Sequence, residues 1–182
     1  MNKENFNSIK NEKKDIFWIW CQFQFSDMRF LENLKSKVNS VLKGPDFEIH
    51  LSLIGPFFKM DSSKILEIKQ IAKSSFNIPA ILLKYDYSSY KYTSLYIDVL
   101  KTKDLINLRN KFIKAIPSHT NYAYKFEPHI SLFYGNAETF EKTQLISKLP
   151  NIDRKININK ICITHIDEKL DQWKIIERIK LN

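Results

Sequence analysis

Phe47-Glu48-Ile49-His50-Leu51-Ser52-Leu53 and Phe126-Glu127-Pro128-His129-Ile130-Ser131-Leu132 are the two stretches on which the reading of this chain turns. They align without a gap at an offset of 126 − 47 = 79 residues, and Phe, Glu, His, Ser and Leu are shared. His and Ser stand at i and i+2 in each. An extended strand therefore projects both polar groups from one face and the aliphatics from the other. The pattern predicts a half-buried strand with an H-x-S face, present twice. With only four His in the chain, internal duplication explains the match better than chance, and duplicated halves commonly set equivalent side chains across a cleft.

A length of 182 residues suits one core and is too short for two full-sized domains. One domain with two lobes is expected over 16–182. Residues 1–15, rich in Asn and Lys but carrying Glu4, Glu12 and Asp15, resemble neither a secretory signal nor a transit peptide and read as a frayed tail. No apolar run approaches the roughly 18 to 20 residues a bilayer crossing requires, so a soluble, cytoplasmic protein without membrane contact is expected. Cys21 and Cys162 sit in apolar alternating segments, outside any CxxC or Cys/His cluster. They read as small buried hydrophobes in a reducing compartment. The net charge of +9 suits a polyanionic partner such as RNA. Nearly all of it is Lys in a chain crowded with Lys, Asn and Ile, a bias an AT-rich genome also produces, so it carries little independent weight.

Asp15 to Phe25 is dense in β-branched and aromatic residues and reads as an interior strand with Trp18 and Trp20 on one face. Ser26 is expected to cap a helix with Leu31, Leu34, Val38 and Leu42 inward, stopped by Gly44-Pro45. The first H-x-S strand follows, closed by Gly55-Pro56. A second helix begins at Asp61-Ser62-Ser63 and ends at Asn77-Ile78-Pro79. Strands at Ile81–Tyr87 and Tyr92–Val99 pair across residues 88–91, and Ser94, Tyr96 and Asp98 share one face of the latter. A third helix runs from Lys103 to Ala115, ended by Pro117, and a polar link at Ser118–Asn121 leads to the second H-x-S strand. Glu138–Lys148 reads as helix, and Ile156–Ile166 with Gln172–Leu181 as an antiparallel hairpin turning at residues 167–169. Strands that alternate polar and apolar argue against a doubly wound parallel sheet. The expected class is α+β, antiparallel sheets with outer helices.

One histidine on a strand is more often structural than catalytic; two matched ones are a different matter. Facing imidazoles can divide acid and base duties, one deprotonating water while the other protonates a departing alkoxide, and a pKa near 6.5 allows both states at neutral pH. Two hydroxyls on the same faces can donate to non-bridging phosphate oxygens. His50, His129, Ser52 and Ser131 thus describe phosphodiester cleavage with no cofactor. Metal binding is the competing use of paired histidines, but no carboxylate falls in register with them, since Glu48 and Glu127 reach the cleft rim at best. No metal ligands are assigned.

The two motifs resemble the paired H-x-[S/T]-x motifs of the two-histidine (2H) phosphoesterase superfamily. Phe126-Glu127-Pro128-His129-Ile130-Ser131-Leu132-Phe133-Tyr134-Gly135 is similar to the P-H-x-S-L-x-Y-G block of the eukaryotic-type cyclic phosphodiesterases, and Thr93-Ser94-Leu95-Tyr96-Ile97 to their middle segment. Trp173, late in the chain before a terminal Leu181, also fits. Ile49 departs from the Pro usual before the first His. The resemblance implies a bilobal fold of two antiparallel sheets about a pseudo-twofold axis. It implies a central groove and metal-free opening of a 2′,3′-cyclic nucleotide or an ADP-ribose 1″,2″-cyclic phosphate, typically to a 2′-phosphate. His50 and His129 become the acid/base pair, with His129 favoured as base and His50 as acid, and Ser52 and Ser131 the phosphate ligands. Tyr134, and more weakly Trp20, are substrate-binding candidates; core packing is the preferred account of Trp18 and Trp20. The partner is a cyclic nucleotide or RNA end, with no obligate protein partner and a monomeric state expected. Two alternatives stand beside this: a phosphodiesterase for 2′,5′-linked or cyclic oligonucleotides of viral counter-defence type, and a nucleotide- or RNA-binding module without turnover. His119 and His165 lie outside any motif and read as exposed or loop-packed. Lys43, Lys59 and Lys125 are candidates for steering an anion.

Overall fold

The computed structural model describes residues 15–116, 126–167 and 169–182. The tail before Asp15, Pro117, the link 118–121 with His119, Lys125 and Glu168 lie outside the described residues. In chain order the elements are β1 (Ile16–Phe23), α1 (Phe25–Leu42), β2 (Leu51–Phe58), α2 (Ser62–Lys73), β3 (Ile78–Tyr87), β4 (Leu95–Val99), α3 (Lys103–Ala115), β5 (His129–Phe133), α4 (Thr139–Ile146), β6 (Arg154–Ile166) and β7 (Lys174–Lys180). The class is α+β, as expected.

Every strand pairing is antiparallel, in the order β1-β2-β5-β4-β3-β6-β7, and β1 also pairs with β6. Six strands thus close on themselves and β7 lies outside. This corrects the expectation of two separate sheets. β6 is 13 residues long, so residues 154–158 pair with β3 while residues 158–166 pair with β1 and residues 160–165 with β7. One strand serves both wings.

The duplication is visible in the fold. β1-α1-β2 and β4-α3-β5 are each a strand, a helix and an H-x-S strand returning antiparallel beside the first. Trp20 faces Ser52 and Cys21 faces Leu51; correspondingly Tyr96 faces Ser131 and Ile97 faces Ile130. Helices cross over: α1 packs on β5 and α3 on β2. The core between sheet and helices takes Leu31, Leu34 and Val38 from α1, Leu105, Leu108 and Phe112 from α3, and Leu51, Leu53, Ile130 and Leu132 from the motif strands. Phe23, Phe57, Phe112 and Phe133 are fully buried, each contributing about 1.5–3 kcal/mol. The motif strands are held from behind by both repeats.

Local chemistry sets the ends. Asp61 caps α2 by accepting the Lys64 N–H at 2.9 Å, and Thr102 caps α3 by accepting that of Leu105 at 3.2 Å. Ser26 does not cap α1; the helix starts two residues earlier than such a cap would set it, behind Gln24, because the Gln24 N–H is anchored on the Asn157 carbonyl and buried Asp27 accepts the Asn157 N–H at 2.9 Å. Lys43, rather than Gly44, takes the left-handed C-cap at φ 52°. Gly44 is needed for close approach, since a Cβ there would lie 2.5 Å from the Phe133 ring. β3 begins at Ile78, so Ile78-Pro79 opens a strand instead of ending a helix, and a 3-10 turn at Lys91–Thr93 delays β4 to Leu95.

Gly55-Pro56 does not close the first motif strand. β2 runs through it to Phe58, while His50 stands just before β2 begins. Gly55 has φ +151° and a Cβ on it would meet the Trp18 indole at 2.2 Å, so β2 passes over Trp18 only where the residue has no side chain. Gly55→Ala is expected to lower stability by roughly 2 kcal/mol or more, from strain and overpacking together, measured as a shift in the urea midpoint. Gly135→Ala, whose Cβ would come no nearer than 3.0 Å to Phe133, should cost less.

Candidate active site

β2 and β5 are antiparallel neighbours whose register is fixed by Leu51 opposite Ile130. Antiparallel register then sets His50 opposite Ser131 and Ser52 opposite His129, all four on the face away from buried Leu51 and Ile130. Direct neighbours in such a pair lie roughly 4.5–5.5 Å apart at Cβ and diagonal ones about 7–8 Å apart. The two imidazoles occupy one diagonal of this square and the two hydroxyls the other. The four motif residues are therefore brought together, and His50 feels the charge of His129.

Each imidazole is held the same way. His50 Nδ1 lies 2.7 Å from the Glu48 carbonyl and His129 Nδ1 lies 2.8 Å from the Glu127 carbonyl. A carbonyl only accepts, so Nδ1 carries the proton in both rings and donates it. In each ring Nε2 makes no hydrogen bond to the described residues, so it is available as a lone pair when neutral or as an acid when charged.

The two sites differ in what surrounds them. His50 is 6% exposed and stacks on Trp20 with ring centroids 3.6 Å apart and planes 10° from parallel. Burial, and next to it the opposing bond to Glu48 and the charge of His129, leave its pKa lowered to about 4. His129 is partly exposed and meets Tyr96 edge-on at 5.2 Å. Its cross-strand partner is Asp98, whose carboxyl is raised by burial and by Asp86. Lys84 bridges those two acids, 2.7 Å from Asp86 and 3.8 Å from Asp98. In the equivalent place on β1, Gln22 donates to the Glu48 side chain at 2.9 Å and accepts from the Cys162 thiol at 3.3 Å.

The hydroxyls differ as well. Ser52 is partly exposed. Ser131 is buried, donates to the Tyr92 carbonyl at 3.2 Å, and lies in hydrogen-bond contact with the Tyr134 hydroxyl. Tyr134 is 4% exposed, and burial pushes its phenol far up, so it stays a neutral donor. It stacks on Phe47 at 3.9 Å and meets Tyr92 and Trp173 edge-on at 5.5 and 6.0 Å. Trp173 also lies 6.0 Å from Trp20, so an aromatic wall joins the two repeats above the square.

Trp20 is buried, 3% exposed, and stacks on His50, while Trp18 packs over Gly55. His165 is on β6, half-buried beside Phe17 at 5.3 Å and 3.1 Å from Asp15, away from the square. Lys43 and Lys59 occupy left-handed turn positions. Both cysteines are free and buried. Among the described residues, no three His, Cys, Asp or Glu side chains converge as a metal-binding set, and no helix is long and apolar enough to cross a membrane. Tyr92, Tyr96, Phe47 and Gln22 were not singled out by sequence, though the outward face shared by Ser94, Tyr96 and Asp98 was a usable signal once β4 is matched to β1.

Comparison with known proteins agrees with this geometry. No family model matches the chain. Proteins of Staphylococcus aureus, among them those of strains Newman and USA300, described as phosphoesterases, are 29% identical over 136 residues, covering 72% of this chain and 80% of theirs. Among solved structures, LigT of E. coli in its apo form superposes with a TM-score of 0.63 at 12% identity, covering 93% of this chain and 98% of that one. TT0787 of Thermus thermophilus gives 0.62 at 12% identity, covering 91% and 97%.

A lowered pKa in the folded state means that the unfolded chain takes up the His50 proton first as pH falls. The stability His50 contributes is full above about 6.5 and is lost as pH drops toward about 4. Urea unfolding of wild type and His50→Gln across that window should show a decline in the former that the latter lacks. Parallel pH profiles would contradict it.

Proposed function

We propose that this chain, which shares its fold with LigT of E. coli over 93% of its length and is 29% identical to the staphylococcal phosphoesterases, is a two-histidine phosphoesterase, and within that class a metal-independent cyclic phosphodiesterase. It opens a 2′,3′-cyclic nucleotide, or an ADP-ribose 1″,2″-cyclic phosphate, to a phosphomonoester. The observation that carries this reading is the square of two imidazoles and two hydroxyls with both Nδ1 atoms tied to backbone. The eukaryotic-type P-H-x-S-L-x-Y-G block at residues 128–135 supports the cyclic substrate. LigT of E. coli, solved with 3′-AMP and with phosphate, supports a nucleotide phosphate as the bound group.

The environments favour a division of labour opposite to the one the sequence suggested. His50, neutral at physiological pH, is the base: its Nε2 takes a proton from water as the oxygen attacks phosphorus. His129, partly exposed and beside Asp98, is the acid, giving its Nε2 proton to the ring oxygen that departs. Charge gathering on the non-bridging oxygens is met by the Ser52 hydroxyl, by Ser131 once its hydroxyl turns from the Tyr92 carbonyl, and by the Tyr134 phenol. Exchange with solvent restores both rings. The product is a 2′-phosphate when the 3′ oxygen leaves.

Hydrolysis of 2′,3′-cyclic AMP in EDTA is the test. His50→Ala and His129→Ala should each lose on the order of 10²- to 10⁴-fold in kcat/KM, and Ser52→Ala about 10²- to 10³-fold. Retained activity in either histidine variant, loss on chelation, or ligand stabilisation without product would reject the proposal. The acidic limb of the kcat/KM profile should lie near pH 4, where His50 takes up its proton. An acidic limb well above pH 4 would contradict the base role of His50.

A further inference from the structure

Beside the square, and sharing Trp20 with it, lies a cavity of about 520 Å³ lined by Met28, Glu32 and Lys35 of α1, by the 46–49 segment, and by Leu170, Trp173 and Ile175. Its volume falls among small-ligand sites, roughly 300–1,000 Å³. Met28, Glu32 and Lys35 stand at i, i+4 and i+7, one face of the helix. Trp20, Phe47 and Trp173 give it aromatic walls that suit a flat ring.

The polar rim decides what kind of ring. Lys35 is spent on Asp46 at 2.6 Å and on the Phe47 carbonyl. Glu48 is held by Arg178 at 2.6 and 2.8 Å and by Gln22. Glu32 alone among the lining carboxylates makes no hydrogen bond or ion pair to the described residues. The cavity therefore offers acceptors and a net negative charge, which repels a phosphate and attracts N–H donors. Trp20 ties the cavity to the phosphate square, since its ring also stacks on His50.

We infer that this cavity is the nucleobase subsite of the substrate and that Glu32 reads the donor edge of the base, with guanine the best fit. The inference rests on the cyclic phosphodiesterase reading for the placement of the phosphate. A single carboxylate pairs with two parallel N–H groups, which guanine presents at N1 and N2. Adenine and cytosine offer one amino group beside a ring acceptor that opposes a carboxylate, and uracil one N–H between two carbonyls. Glu32 is thus a specificity residue, remote from the reacting atoms.

Two measurements on the full chain test this. Guanosine, which has no phosphate, should quench the tryptophan fluorescence of the wild type at lower concentration than uridine, and Glu32→Gln should weaken guanosine about tenfold while leaving the melting temperature in place. In turnover, the preference in kcat/KM for guanosine 2′,3′-cyclic phosphate over a base-free methyl riboside 2′,3′-cyclic phosphate should fall about tenfold in Glu32→Gln, through KM rather than kcat. Guanosine binding no tighter than uridine, or a preference equal in wild type and variant, overturns the inference. If neither ester is hydrolysed, the reaction assigned to the site is what has failed, and the guanosine titration decides the subsite by itself.

Discussion

The site depends on one backbone contact, the pairing of Leu51 with Ile130. Each motif strand is fixed within its own repeat, β2 beside β1 and β5 beside β4, and among the described residues this strand pair sets the two motifs in register. A slip of one residue would turn His and Ser toward the core and Leu and Ile toward the groove. Burial forbids that slip: Leu51, Leu53, Ile130 and Leu132 are nearly inaccessible, packed under helices that cross from the opposite repeat. The constraint that orients the polar face is thus apolar and lies behind it.

Symmetry supplies two equivalent imidazoles, and departures from symmetry make them unequal. Where β1 has Trp20, β4 has Tyr96; where β1 has Gln22, β4 has Asp98. An indole stacked flat on His50 strips it of water, whereas His129 meets the edge of a phenol, beside a carboxylate and partly open to solvent. Identical H-x-S motifs acquire different surroundings through their neighbours on the adjacent strand, and burial lowers the proton affinity of His50. The same departures make one end of the groove aromatic and the other charged, with Lys84, Asp86 and Asp98 gathered on the β4 side.

Much of this was legible from the repeated seven residues. Their alternation placed His50, Ser52, His129 and Ser131 on polar faces, and the periodicity of Leu105, Leu108 and Phe112 located α3 at its observed bounds. The rest was hidden for physical reasons. Gly55-Pro56 carries the composition of a turn, yet it continues a strand because Trp18 occupies the space a side chain would need. β6 closes the ring through its length, a property that shows only when its partners are known. Trp20 reads as core from its apolar surroundings, and only the cross-strand register sets it against an imidazole. Which histidine is buried follows from neighbours distant in sequence, so the order of acid and base could not be taken from two near-identical motifs.

The proposed reaction requires a single phosphate to be held by both repeats at once. A crystal structure with adenosine 2′-phosphate tests this most directly. One phosphate group should lie within hydrogen-bond distance of Nε2 of both His50 and His129 and of the Ser52 hydroxyl. A phosphate that reaches only one imidazole, or binds away from the β2–β5 junction, would contradict it.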